Sequence, residues 1–77
     1  MSDYRYTIIF HPEREEGGYS VTVPALPGCL AQGETLEEAI AMAKEAIVLH
    51  IAGLIEEGEV VPEEPEPLQA LTIHVAA

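Results

Sequence analysis

Residues 18–47, GYSVTVPALPGCLAQGETLEEAIAMAKEAI, decide the fold of this 77-residue chain. Val21 and Val23 alternate with polar residues, which is the period of a half-buried strand. Pro24 has no N–H to donate to a neighbouring strand, so the strand should stop there. Pro27-Gly28 combines a fixed φ with a residue that tolerates positive φ, and this predicts a sharp turn.

The second half of this stretch predicts a helix with defined ends. Thr35 and Glu38 have the T-x-x-E spacing of a capping box, in which each side chain satisfies a backbone N–H at the start of a helix. The helix is predicted over residues 36–57, with Gly58 as its C-terminal cap. Its apolar residues recur at three- and four-residue spacing and form one stripe for a sheet: Leu36, Ala39, Ile40, Ala43, Ile47, Ile51 and Leu54.

The flanking segments predict the other strands. Residues 4–11 alternate between two faces, with four apolar side chains on one of them, and residues 12–17 form a charged hairpin loop that runs into Gly-Gly. Residues 29–33 form a short third strand. After the helix, the proline-rich residues 61–67 are stiff and carry the chain back along the helix. Residues 71–75 then alternate as a final strand.

The predicted fold class is α+β, in the order β-β-β-α-β, with a small antiparallel sheet and one long helix packed on one face. The chain is short enough to form one domain over residues 1–77. A domain of this size has a small core, so a homodimer or tetramer is expected.

The C-terminal half of the predicted helix is apolar nearly all round, which covering one sheet face does not require. Self-association is the preferred explanation. The predicted oligomer interface consists of Ile47, Val48, Ile51, Leu54 and Ile55.

The charge is strongly acidic, with fourteen Asp and Glu against three Lys and Arg and a net charge of −11. Such a surface repels phosphate, so direct binding to nucleic acid is disfavoured, whereas a basic protein is attracted. Solvated acidic surface that maintains solubility is the alternative. Besides residues 56–59, two glutamate clusters stand out, and both are predicted to bind a partner: Glu13, Glu15, Glu16, Glu63, Glu64 and Glu66.

No residue pattern indicates catalysis, a cofactor or a metal site, so the chain is not expected to be an enzyme. Cys29 has no basic neighbour in sequence that would activate its thiol. His11, His50 and His74 do not have a zinc-binding spacing. A single cysteine fits a reducing cytoplasm. No signal peptide is recognisable, and the most apolar stretch, residues 47–55, is too short to span a membrane.

The sequence resembles the N-terminal domain of the HicB antitoxins of bacterial toxin–antitoxin systems. The resemblance lies in the order and spacing of short elements: Gly18-Tyr19, Pro24, Leu26-Pro27-Gly28-Cys29, Gly33, Thr35, Glu37-Glu38-Ala39, Ala43 and Glu45-Ala46-Ile47. One departure is Ala25, where the family often has an acidic residue. A second is that the chain ends at Ala77, so we expect no C-terminal DNA-binding domain.

The resemblance implies a function and a partner. Antitoxins of this kind bind a small basic ribonuclease toxin and stop it from cutting messenger RNA. We therefore expect this chain to neutralise such a toxin in the prokaryotic cytoplasm, without binding nucleic acid or membrane itself. The alternative is a solo oligomeric interaction or scaffold protein of the same fold without a toxin partner.

Overall fold

The computed structural model describes residues 3–77 and contains a three-stranded sheet followed by one long helix. The strands are β1 (Ile9–Pro12), β2 (Tyr19–Thr22) and β3 (Leu30–Gly33), and the helix is α1 (Leu36–Glu56). The sheet is antiparallel in the order β1-β2-β3, which leaves β1 and β3 as edge strands. The β-β-β-α part of the predicted fold is therefore confirmed.

The strand register follows the predicted alternation of side chains. Val21 lies opposite Phe10 on β1 and Ala31 on β3, and Tyr19 lies opposite Gly33. Val21 is fully buried and packs with Ala39 and Ala43 of the helix. The helix thus covers the face of the sheet that the period-two pattern assigns to the core.

The double-proline segment forms two consecutive turns between β2 and β3. The Leu26 N–H donates to the Val23 carbonyl at 2.9 Å, and the Cys29 N–H donates to the Leu26 carbonyl at 3.0 Å. Gly28 has a φ of 88°, as the third residue of a type II turn requires. These turns fold Leu26 inward, where it packs with Val23 and Cys29 in a second buried cluster.

Both predicted helix caps are present. The Thr35 hydroxyl accepts from the Glu38 N–H at 3.1 Å, and the Glu38 carboxylate accepts from the N–H of Glu34, one residue before the cap. At the other end Gly58 has a φ of 73°, and its N–H donates to the Ile55 carbonyl. The helix ends at Glu56, so the predicted end at residue 57 is one residue late, since Glu57 is the capping residue.

The first predicted strand is longer than the observed one. Residues 4–8 are assigned to no strand, and β1 begins at Ile9. The side chains nevertheless keep the predicted faces, because Tyr6 and Ile8 pack against the core clusters whereas Ile9 is exposed. The alternation therefore predicts the faces correctly but not where strand pairing starts.

The predicted final strand over residues 71–75 is not formed. These residues belong to neither helix nor strand, and Leu71, Ile73 and Val75 are exposed. The preceding residues 61–68, here called the proline segment, pass alongside Tyr6 and Thr7, to which they are hydrogen-bonded. Alternation makes a segment able to form a strand, but a strand also needs a neighbouring strand to pair with.

Candidate functional site

The acidic side chains cover the outside of the molecule. Every Asp and Glu in residues 3–77 is exposed except Glu64, which is half-buried. Together with the net charge of −11, this exposure produces a negative surface that attracts a basic molecule and repels phosphate. Local arrangement then decides which carboxylates act together.

Four carboxylates meet where the β1–β2 loop lies beside the start of α1. Glu13 and Glu16 from the loop and Glu34 and Glu38 from the helix entry line one shallow groove of about 420 Å³. We call these four residues the loop–helix patch. Charges of one sign gathered in a concave surface strengthen the local potential, so the patch suits a Lys or Arg side chain of a partner.

Sequence reasoning identified only half of the loop–helix patch. It predicted Glu13, Glu15 and Glu16, and the structure shows that Glu15 is exposed but does not line the groove. Glu34 and Glu38 were not recognised as part of it. Strand pairing could have predicted the position of Glu34. Because β2 and β3 are antiparallel, the residue after β3 must lie beside the β1–β2 loop.

Glycine makes this close approach possible. A Cβ atom on Gly33 would lie 2.5 Å from the backbone nitrogen of Ala39, and one on Gly18 would lie 2.5 Å from the Gly33 carbonyl oxygen. Both distances are shorter than any real contact of a Cβ atom. The loop, β3 and the first turn of the helix therefore approach closely only because these two positions lack side chains.

The second predicted cluster lies on the proline segment, and its three members differ. Glu63 and Glu66 are exposed, whereas Glu64 is bound to the N-terminal residues. The Glu64 carboxylate accepts a hydrogen bond from the Thr7 N–H at 2.9 Å and another from the Thr7 hydroxyl at 2.5 Å. The Thr7 hydroxyl also accepts from the Leu68 N–H at 3.1 Å.

These contacts stabilise the charged form of Glu64. The hydrogen bonds from Thr7 lower the pKa of this carboxyl group, with smaller contributions from the Leu68 backbone and the Arg5 charge. Nearby, the Tyr6 hydroxyl donates to the Pro62 carbonyl at 2.6 Å, and burial raises the pKa of that phenol. Glu64 therefore holds the proline segment in position, and Glu63 and Glu66 are the cluster members that face solvent.

The predicted oligomer residues divide between the core and the surface. Ile51 is buried, and Ile47 and Leu54 pack against the cluster around Leu26. Val48 and Ile55 are 66% and 59% exposed, and the neighbouring Leu49 is 69% exposed. Val48, Leu49 and Ile55 therefore present most of their surface to a second molecule, whereas Ile47 and Ile51 can be reached only through the groove beside the helix that they line.

Cys29 and the three histidines lie in different parts of the fold. Cys29 is buried between Val23 and Leu26, and this burial raises the pKa of its thiol, which disfavours the reactive thiolate. The ring of His11 lies on the exposed side of the sheet, with Nε2 3.1 Å from the Thr22 hydroxyl. His50 is half-buried on the helix and His74 is exposed near the C-terminus.

Residues 3–77 contain neither a metal-binding cluster nor a membrane-spanning helix. In that part of the chain, no three His, Cys, Asp or Glu side chains are grouped so that they could hold a metal ion. Its one helix is not long and apolar enough to cross a membrane.

Comparison with known proteins identifies the family. Residues 6–76 match the family described as the HicB_like antitoxin of bacterial toxin–antitoxin systems. A UPF0150 protein from Synechocystis is 44% identical over 72 residues, which cover 94% of this chain and 90% of that protein. A UPF0150 protein from Thermoplasma acidophilum is 41% identical over 91% of this chain and 97% of its own length.

Relatives that are named antitoxins are longer than the matched region. Antitoxin HicB of Escherichia coli K12 is 38% identical over 66 residues, which cover 86% of this chain but only 46% of that protein. Antitoxin HicB 1 of Photorhabdus laumondii is 39% identical over 80% of this chain and 39% of its own length. The chain thus spans nearly all of the two UPF0150 proteins and less than half of these antitoxins.

Proposed function

This chain belongs to the HicB-like antitoxin family of bacterial toxin–antitoxin systems, and we propose that it binds and neutralises a small basic toxin that cuts messenger RNA. The observation that carries the proposal is the family match over residues 6–76. In this proposal the chain acts by covering the RNA-binding surface of the toxin, not by catalysis. The proposed place of action is the prokaryotic cytoplasm, where messenger RNA is found.

The charge of the chain supports a basic partner. A ribonuclease needs a positive surface to hold the phosphates of RNA, and a chain of net charge −11 competes for that surface. Electrostatic attraction also speeds the encounter between two oppositely charged proteins. The same charge disfavours binding of this chain to RNA or DNA by itself.

We propose that the two predicted glutamate clusters contact the toxin. In the first cluster, Glu13 and Glu16 act with the carboxylates of the loop–helix patch, and Glu15 extends its exposed edge. In the second, Glu63 and Glu66 make the contacts, whereas Glu64 keeps the proline segment in place through Thr7.

We further propose that the protein self-associates as a homodimer or tetramer. The exposed apolar residues Val48, Leu49 and Ile55 support an interface along the second half of α1. Burial of such side chains between copies removes apolar surface from water and adds to the small core of a 77-residue chain.

A solo oligomeric interaction protein of the same fold is the second candidate function. The observation in its favour is that the two relatives spanned almost completely carry the name UPF0150 and no toxin-related name. In this case the acidic surface maintains solubility and the oligomer is the functional unit.

A pull-down of the tagged full chain from native cell extract separates the two candidates. We expect a small basic protein to co-elute in near-stoichiometric amount, to be released by high salt, and to cut RNA in the absence of this chain but not in its presence. Recovery of the chain alone as an oligomer would favour the solo role. Co-elution of a basic protein whose RNA cleavage is unaffected would reject neutralisation.

A further inference from the structure

The C-terminal tail, defined here as residues 69–77, has the pattern of a strand without the contacts of one. Leu71, Ile73 and Val75 alternate with Thr72 and His74, and the three apolar side chains are 87%, 70% and 71% exposed. A strand whose apolar side is open to water has not found its packing surface. The tail therefore needs another surface to cover it.

A groove of matching character lies on the same molecule. On one side it is lined by Tyr4, Tyr6 and Ile8, and on the other by Ile40, Ile47 and Ile51 of the helix. Its volume is about 520 Å³. The backbone of α1 lies close to β3 and β2 but not to β1, so the sheet is open on the β1 side beneath the helix.

The tail does not occupy the groove of its own chain, since none of its residues lines that groove. The hydrogen bond between the Leu68 N–H and the Thr7 hydroxyl fixes the start of the tail beside the N-terminal residues. All of the tail residues are exposed, and the molecule is 47 Å long with a radius of gyration of 14.5 Å. A compact chain of this length has a radius of gyration of about 11.5 Å.

The apolar chemistry of the tail and the groove favours a second copy of this chain as the occupant. The tail contains no Asp, Glu, Lys or Arg, although the chain as a whole has a net charge of −11. A basic partner is attracted to the carboxylates, which all lie outside the tail, whereas two equally acidic copies can approach each other where their surfaces are uncharged and apolar. A second copy brings both an apolar tail and an apolar groove, so two copies related by a twofold axis satisfy both at once.

We propose that two copies of this chain exchange their C-terminal tails. Each tail lies against the groove of the other copy and adds a strand beside its β1 edge, with Leu71, Ile73 and Val75 facing Tyr6, Ile8 and the helix. Main-chain hydrogen bonds to the open edge give affinity, and the alternate side chains set the register. The exchange is closed, because each copy gives one tail and receives one.

The proposal is tested by light scattering on the full chain and two double variants. Leu71→Glu with Ile73→Glu places charge on the apolar side of the tail, and Thr72→Glu with His74→Glu places the same charge on its other side. All four positions lie in the exposed tail, so folding should be unaffected, as circular dichroism can verify. We expect the first variant to have half the wild-type oligomer mass and the second to retain the full wild-type mass.

Hydrogen exchange provides a second readout that does not depend on substitution. The amides of residues 70–75 should be protected in the wild-type oligomer and exchange freely in the Leu71→Glu, Ile73→Glu variant. A wild-type monomer would overturn the proposal, whether its tail is free or folded back on its own groove. An equal loss of mass in both variants, or an unchanged mass in the first, would also overturn it.

Discussion

Glu64 accepts two hydrogen bonds from Thr7, and these bonds join residues that are 57 positions apart in the chain. The Thr7 hydroxyl in turn accepts from the Leu68 N–H, so both ends of a five-residue stretch are bound to one side chain. This contact and the bond from Tyr6 to Pro62 hold the proline segment against the N-terminal residues. Removing the contact between Glu64 and Thr7 should release the proline segment while the helix and the sheet remain folded.

Thr7→Val is the variant that tests this contact. It keeps the shape of the side chain but removes the hydroxyl that donates to Glu64 and accepts from Leu68. We expect faster hydrogen exchange and easier proteolysis over residues 62–68, with circular dichroism of the helix unchanged. Glu63→Gln alters an exposed neighbour and serves as the control. Unchanged exchange in Thr7→Val would show that the prolines alone hold the segment.

The pKa of Glu64 predicts how this contact depends on pH. The pKa is lowered below its ordinary value of 4.5 in the folded chain, mainly by hydrogen bonds from Thr7. The stabilisation is therefore fully present above pH 4.5 and is lost as the pH falls through the lowered pKa. We expect the stability difference between wild type and Glu64→Gln to be largest near neutral pH and to shrink as the pH falls below 4.5.

Subtracting the Glu64→Gln variant is necessary in this experiment. The other glutamates also titrate in acid, and their protonation relieves repulsion in a chain of net charge −11. Both proteins share that effect, so it cancels in the difference. A difference that does not change with pH would contradict the assigned role of the Glu64 carboxylate.

Replacing Gly33 and Gly53 by alanine should change the stability of the fold in opposite directions. Gly33→Ala places a Cβ atom 2.5 Å from the Ala39 nitrogen and should destabilise the fold by about 1–3 kcal/mol, because β3 and the helix must separate. Gly53→Ala has open space within the helix and should stabilise by about 0.5–1 kcal/mol. Thermal unfolding measures both, at about 4–8 °C per kcal/mol in a domain of this size. Equal effects would refute the close packing at Gly33.

Charge reversal tests the proposed toxin contact. Glu63→Lys with Glu66→Lys should slow association with a basic partner roughly tenfold at low ionic strength, with a smaller effect at high salt. Glu45→Lys with Glu56→Lys makes the same change of charge on exposed helix positions outside both clusters and is the control. Stopped-flow association rates at several salt concentrations make the comparison. Equal slowing in both variants would indicate general attraction without a local contact.

Self-association through the helix has its own test. Leu49→Glu with Ile55→Glu changes two exposed apolar side chains and should lower the mass measured by light scattering while the fold persists. Ile51→Glu is unsuitable, because that buried side chain belongs to the core and its loss would unfold the chain. Ala41→Glu is the control, because Ala41 is also exposed on α1 but lies outside the predicted interface, which begins at residue 47. An unchanged mass in the Leu49, Ile55 variant would remove this surface from the interface.

Local chemistry made much of the fold predictable. The turn at Pro27-Gly28, the Thr35 cap and the Gly58 cap each depend on residues within a few positions of one another, and all three were identified from the sequence. The faces of the strands were also predictable, because side-chain direction in an extended chain alternates whatever its neighbours are. Recognition of the family depended on the order of these same local elements.

The sequence by itself determined the β-β-β-α order, the helix caps, the core stripe from Ala39 to Leu54 and the acidic character of the surface, because each arises from short-range geometry or from composition. Leu36, which the same spacing assigns to the stripe, is exposed at the start of the helix. Only the tertiary structure decided how distant residues meet. It joined Glu34 to the loop glutamates, bound Glu64 to Thr7, and showed that residues 71–75 do not form the predicted strand. Pairing depends on which partner the rest of the fold brings within reach, and no local pattern contains that information.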